Sequence, residues 1–295
     1  MPRADRKTDS GYAGSLARIL ARQDRHEEAE KAYRLAIADQ PERVEWYVGL
    51  AEALLAQKRH EAAVPPLVEA TTLDPSRADL FNQLGLIEMH PLHAEDAFRA
   101  AIEAAPQNPI YHANLAVCLI DQWRLEDAEE CLVEAIRIDP RDLSYPTDLG
   151  HLLMDMGRMA EAEGMFRRTL WSVNHNAIID GPAWELYNDG RFDAADDLFD
   201  RRQRTSDDDY LAWSYRGMGT ALLAMGQDRE AVVAFRGAIS IRPDEPTFHS
   251  ELASALSVTG RGRMALRALQ RAEGLRSAQK TGKMPPSRRP VTLGK

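Results

Sequence analysis

Residues 215–243 read YRGMGTALLAMGQDREAVVAFRGAISIRP. Tyr215, Met218, Gly219 and Leu222 recur at the spacing that places them on one face of a helix. The Gly226-Gln227-Asp228 run then breaks that helix and offers a turn. Ala231, Phe235 and Ala238 define a second amphipathic helix, which Pro243 stops. Large-small-large side chains on the first helix face small-aromatic-small on the second, the pattern two antiparallel helices need for close packing. The stretch predicts a helical hairpin with one apolar face that it cannot bury by itself.

Outward from this hairpin the pattern repeats along nearly the whole chain. The first copy has Leu16, Ala17 and Leu20, then Ala29, Tyr33 and Ala36, closed by Pro41. The second has Tyr47, Leu50, Ala51 and Leu54, then Ala63, Leu67 and Ala70, closed by Pro75. The third has Phe81, Leu84, Gly85, Ala94, Phe98 and Ala101, closed by Pro106. Its stop comes three residues early, in a shortened turn, Met89-His90-Pro91-Leu92-His93, where Pro91 cannot sit inside a helix. That shortening predicts a pinched repeat and a local bend. The fourth runs from His112, Leu115 and Ala116 to Pro140, and the fifth carries Leu149, Gly150, Leu153, Gly157, Ala162 and Phe166 with Asn174 in the proline slot. The sixth is degenerate, with Pro182, Ala183, Leu186, Gly190, Ala195 and Phe199, and leaves through Asp207-Asp208-Asp209. The eighth holds Leu252, Ala253, Leu256, Gly260, Ala265, Leu269 and Ala272.

The stops at 41 and 75 lie 34 residues apart, and the chain resembles the tetratricopeptide-repeat family over about residues 10–277. The repeats fall near 10–43, 44–77, 78–108, 109–142, 143–175, 176–211, 212–245 and 246–277. A polar lead-in, 1–9, precedes them, and a basic, proline-containing tail, 278–295, follows and is expected to be disordered. The resemblance implies an all-α solenoid of about eight helix-turn-helix repeats in a right-handed superhelix, with first helices (A) lining the concave side and second helices (B) the convex side. Each repeat would be held by its neighbours. No solvating helix follows the eighth repeat, which still carries Leu266 and Leu275. That end is expected to be covered by the tail (Met284, Val291, Leu293), by a partner, or by end-to-end self-association of terminal repeats.

Composition narrows the function. A hydrophobic fraction of 44% and a charged fraction of 28% describe an ordinary water-facing chain. The net charge of −9 opposes a nucleic-acid partner, which requires a basic surface. No apolar run reaches the ~18 residues that span a bilayer, and the polar N-terminal stretch lacks a signal-peptide core. The expected location is cytoplasmic. Cys118 and Cys131 are too few for a disulfide framework and read as small buried hydrophobes. Phosphate loop, nucleophile elbow and HExxH motifs are all missing, so neither an enzyme nor a cofactor is expected. His90 and His93, beside Glu88 and Glu95, have metal-ligand chemistry, but Pro91 between them favours a solvated turn.

What remains is recognition. The slot before the Leu or Met of each A helix holds Ser15, Gly49, Gln83, Asn114, Asp148, Gly181, Gly217 and Glu251. Some family members carry an asparagine ladder there that binds an extended peptide; here Asn114 matches, with Gln83 and Asp148 beside it. The lysine and asparagine set of the chaperone-binding clamp is absent. Three side-chain hydrogen bonds contribute about 0.5–1.5 kcal/mol each, whereas micromolar binding needs about 8 kcal/mol, so larger anchors are required. Trp213, Arg216 and Thr220 share one helix face, as do Ser144, Asp148 and His151, and Trp184 lies between these groups in sequence. The alternative for the tryptophans is packing between repeats. The reading is a non-catalytic adaptor that holds an extended or helical segment of a partner protein in its groove. An assembly chaperone, or a regulatory or substrate-recruiting subunit of a separate enzyme, is the rival.

Overall fold

A computed structural model of the chain describes residues 10–88, 90–172 and 208–281. Among these residues there are fourteen α-helices and no strand. The chain is an all-α helical repeat protein, and it divides into two compact units, one within residues 1–124 and one within 125–292.

The first unit holds α1 (Ser10–Arg22), α2 (His26–Asp39), α3 (Val44–Ala56), α4 (His60–Leu73), α5 (Ala78–Ile87), α6 (Pro91–Ala104) and α7 (Pro109–Asp121). Consecutive helices pair as antiparallel hairpins, and each hairpin packs on the next. Leu20, Tyr33, Trp46, Leu50, Leu54, Leu67 and Leu80 form one continuous core. Tyr33 of α2 lies over Gly49 of α3, where any Cβ would strike its ring. A glycine in that slot is what lets α3 approach the preceding hairpin so closely.

The turns share one geometry. Asp24, Lys58 and Trp123 are left-handed, with φ of 58°, 60° and 59°. At each, the following N–H reaches back to the helix end, as Arg59 N does to Leu54 O at 3.0 Å, the closure of a Schellman motif. The third hairpin departs from this. Its helix α5 has only ten residues, and Glu88 is extended. His90 is also extended, as a residue before proline prefers, and Pro91 opens α6 at its first position. The shortened turn read from the sequence is therefore accommodated by a short A helix and a proline start. Residues Pro65 and Pro66 lie inside α4, contrary to their usual exclusion from helix interiors, and remove two backbone donors there.

The second unit holds α8 (Leu125–Ile138), α9 (Ser144–Asp155), α10 (Met159–Ser172), α11 (Asp208–Ala224), α12 (Asp228–Ile241), α13 (Pro246–Val258) and α14 (Gly262–Lys280). Its left-handed turn positions are Gly157, Gly226 and Gly260. The sixth repeat and the tail from 282 onward lie outside the described residues. Hairpin α11–α12 nevertheless packs directly on α9–α10. The Thr147 and Ser214 hydroxyls meet at 2.9 Å, and a Cβ on Gly217 would strike the Phe166 ring. Phe166 over Gly217 reproduces Tyr33 over Gly49, slot for slot. The fifth and seventh repeats thus meet in the register of consecutive repeats, although residues 173–207 separate them in sequence.

Candidate partner-binding face

The A-helix slots picked out in the sequence differ greatly in how accessible they are. In the first unit, Asn114 is 1% exposed and donates from Nδ2 to Asn82 Oδ1 at 2.8 Å. Gln83, next to Asn82 on α5, is half-buried, and its Oε1 is enclosed with no hydrogen-bond partner. A buried carbonyl oxygen in that state costs about 1–3 kcal/mol, which the half-buried side chain would recover by turning towards a donor at the surface. Asn82 was not singled out from the sequence; its signal is its place one residue before the Gln83 slot.

In the second unit, Asp148 is half-buried. His151 is buried edge-on against Phe166, with ring centroids 4.9 Å apart. Ser144 is buried too and donates its hydroxyl to Asp142 at 2.5 Å. Trp213, Arg216 and Thr220 are brought together on α11. Trp213 is 6% exposed and packs edge-on against Phe248 at 5.3 Å and 79°. The Arg216 guanidinium lies 5.4 Å from the Trp213 ring and reaches Glu251 of α13 through Nη2 at 2.6 Å. Thr220 caps the group by donating to the Arg216 carbonyl at 3.1 Å. Trp213 sits between repeats, with its indole N–H enclosed and unpartnered. Trp184 and Asp207 lie outside the described residues.

A second periodic feature joins neighbouring repeats. Glu30 pairs with Arg59, Glu95 with Arg124, and Glu129 with Arg158, each across 29 residues. Glu30 and Glu95 are buried, at 5% and 3% exposure. Burial pushes each carboxyl upward in pKa, but hydrogen bonds from Gln57 and Arg59, and from Arg124 and Gln122, together with nearby arginine charge, outweigh it. Both are held below the ordinary carboxylate range. Glu95 is therefore committed to Arg99 and Arg124 rather than to the neighbouring histidines. His90 and His93 stack on one another at 4.8 Å.

These features define an all-α helical-repeat protein. The sequence profile of the family described as "Tetratricopeptide repeat" matches residues 15–78 and 91–142, so these stretches are similar to tetratricopeptide repeats. No curated protein sequence matches the chain. Among solved structures, it is similar to pilF of Pseudomonas aeruginosa, with a TM-score of 0.55, 19% identity, and coverage of 82% of this chain and 93% of that one. It is also similar to YrrB, described as a TPR protein with an unusual peptide-binding site, at a TM-score of 0.53 and 19% identity, covering 78% and 99%. MamA aligns at 0.54 and 19%, covering 57% and 93%. At these identities the likeness is one of fold. Proteins of this fold generally mediate protein–protein interaction. No described helix is long and apolar enough to cross a membrane.

Proposed function

We propose that this chain is a non-catalytic adaptor that holds an extended or helical segment of a partner protein against its A helices and thereby assembles a complex. The observation that carries this reading is the polar step on α5 and α7. There the Asn82–Asn114 pair stands beside a Gln83 oxygen that lacks a donor. An extended segment presents backbone N–H groups at regular intervals, which is the chemistry that oxygen needs. In the second unit, Asp148 and Glu251, the latter paired with Arg216, fall in the corresponding A-helix slots. Trp213 is packed into the repeat interface, so it supports the surface rather than touching the partner. The expected location remains the cytoplasm.

Affinity purification from the native cell with quantitative mass spectrometry tests the reading. A partner recovered with the wild-type chain should be depleted at least several-fold by Gln83→Ala and by Arg216→Ala, with the thermal melt of each variant kept. Undiminished recovery on both variants would refute the assignment of the A-helix face.

A further inference from the structure

The last hairpin presents an apolar face that internal hairpins cover. On α12, which packs against both α11 and α13, Val232 and Phe235 are 0% and 1% exposed. One repeat later, in the same slots on α14, Leu266 and Leu269 are 57% and 44% exposed. Leu269 holds the position of Tyr33 and Phe166. Those two rings each receive a glycine-bearing A helix, at Gly49 and Gly217. The vacant position therefore has the shape of one more A helix.

Charge selects the occupant. Among the residues of α14, Arg263, Arg267, Arg271, Arg276 and Lys280 are basic and Glu273 alone is acidic, on a chain whose net charge is −9. Arg263, Arg267 and Arg271 are exposed and, spaced four residues apart, form one stripe along the helix. The tail beyond residue 281 does not suit the position. Its charged side chains are all basic, like most of those on α14. A second copy of this chain suits it poorly as well. Its α1 exposes Tyr12, Leu16 and Ile19, but its charges are Arg18 and Arg22, like against like.

We infer that α14 docks an acidic amphipathic helix from a different protein, which completes the stack as an added A helix. Leu266 and Leu269 would receive its apolar stripe, and Arg263 and Arg267 its flanking carboxylates.

The test uses the full chain and a fluorescein-labelled synthetic peptide with the sequence of residues 44–56, VEWYVGLAEALLA. This peptide carries Gly49 and two glutamates. A control peptide replaces Glu45 and Glu52 with lysine. Fluorescence anisotropy at low salt should show the acidic peptide binding at least ten-fold more tightly than the lysine peptide. Leu269→Asp should abolish binding, and the exposed double variant Arg263→Glu with Arg267→Glu should weaken it at least ten-fold, independent of any folding defect at Leu269. Equal binding of the two peptides, no binding of either, or binding indifferent to the arginines overturns the inference. So does sedimentation equilibrium showing that the wild-type chain self-associates through Leu269, since the occupant would then be a second copy.

Discussion

Phe166 and Gly217 provide a decisive measurement, because they touch only if the seventh repeat sits directly on the fifth. Gly217→Ala places a methyl group into the Phe166 ring. Overpacking of this kind costs about 1–3 kcal/mol, while alanine in place of glycine inside a helix returns about 1 kcal/mol, so the net loss should be ~0–2 kcal/mol. Phe166→Ala alone removes a fully buried ring and should cost about 3–5 kcal/mol. In the Phe166→Ala background the methyl group at 217 meets open space, and Gly217→Ala should change sign and stabilise. The cycle therefore predicts a coupling of about 1–3 kcal/mol between residues 51 positions apart in sequence, read by urea denaturation and far-UV circular dichroism. Gly164→Ala on α10 has nothing within 4 Å of its new Cβ and should stabilise by about 0.5–1 kcal/mol, which calibrates the propensity gain. Additive effects at 166 and 217 would mean that another hairpin lies between them, and the packing described here would be wrong.

Other consequences can be measured in the same way. Lys58→Gly should raise stability by about 0.5–1 kcal/mol, since lysine at φ 60° is strained and glycine is not, whereas Gly226→Ala should lower it by about 1 kcal/mol; thermal melts decide both. Pro65→Ala restores a backbone donor inside α4 at an exposed position and should stabilise by about 1–3 kcal/mol, with increased hydrogen-exchange protection in that helix. Glu95→Gln should cost about 1–2 kcal/mol at pH 7, tempered by the exposure of its arginine partners. A carboxyl with a depressed folded pKa stabilises above its unfolded value of about 4.3 and loses that contribution as pH falls through the folded value. The deficit of Glu95→Gln relative to wild type should therefore shrink on acidification from pH 5 towards pH 2.

Much of this architecture is legible in the residues themselves. The alternation of Tyr, Leu and Gly with Ala and Phe fixes the hairpins, because only those sizes permit the approach seen where Tyr33 covers Gly49. The spacing of Trp213, Arg216 and Thr220 correctly places them on one face, but helical spacing gives direction and not depth. The burial of Trp213 follows from Phe248, which belongs to the next repeat. The left-handed turns at Asp24, Lys58 and Trp123 are hidden for a related reason. Closure of the hairpin imposes the backbone conformation, and the residue in the slot need not be the one that prefers it. The direct contact of fifth and seventh repeats is invisible in sequence, where the sixth repeat's slots still align with the pattern. The Glu–Arg staples, by contrast, stand in plain view at a spacing of 29, masked only by the abundance of both residues.

The close approach of Phe166 to Gly217 also bears on how such a chain tolerates change. A linear array knows only adjacency, so its phase is kept wherever two compatible surfaces meet, whatever length of polypeptide joins them. The ends at Ser172 and Asp208 are therefore a natural point for adding or removing sequence.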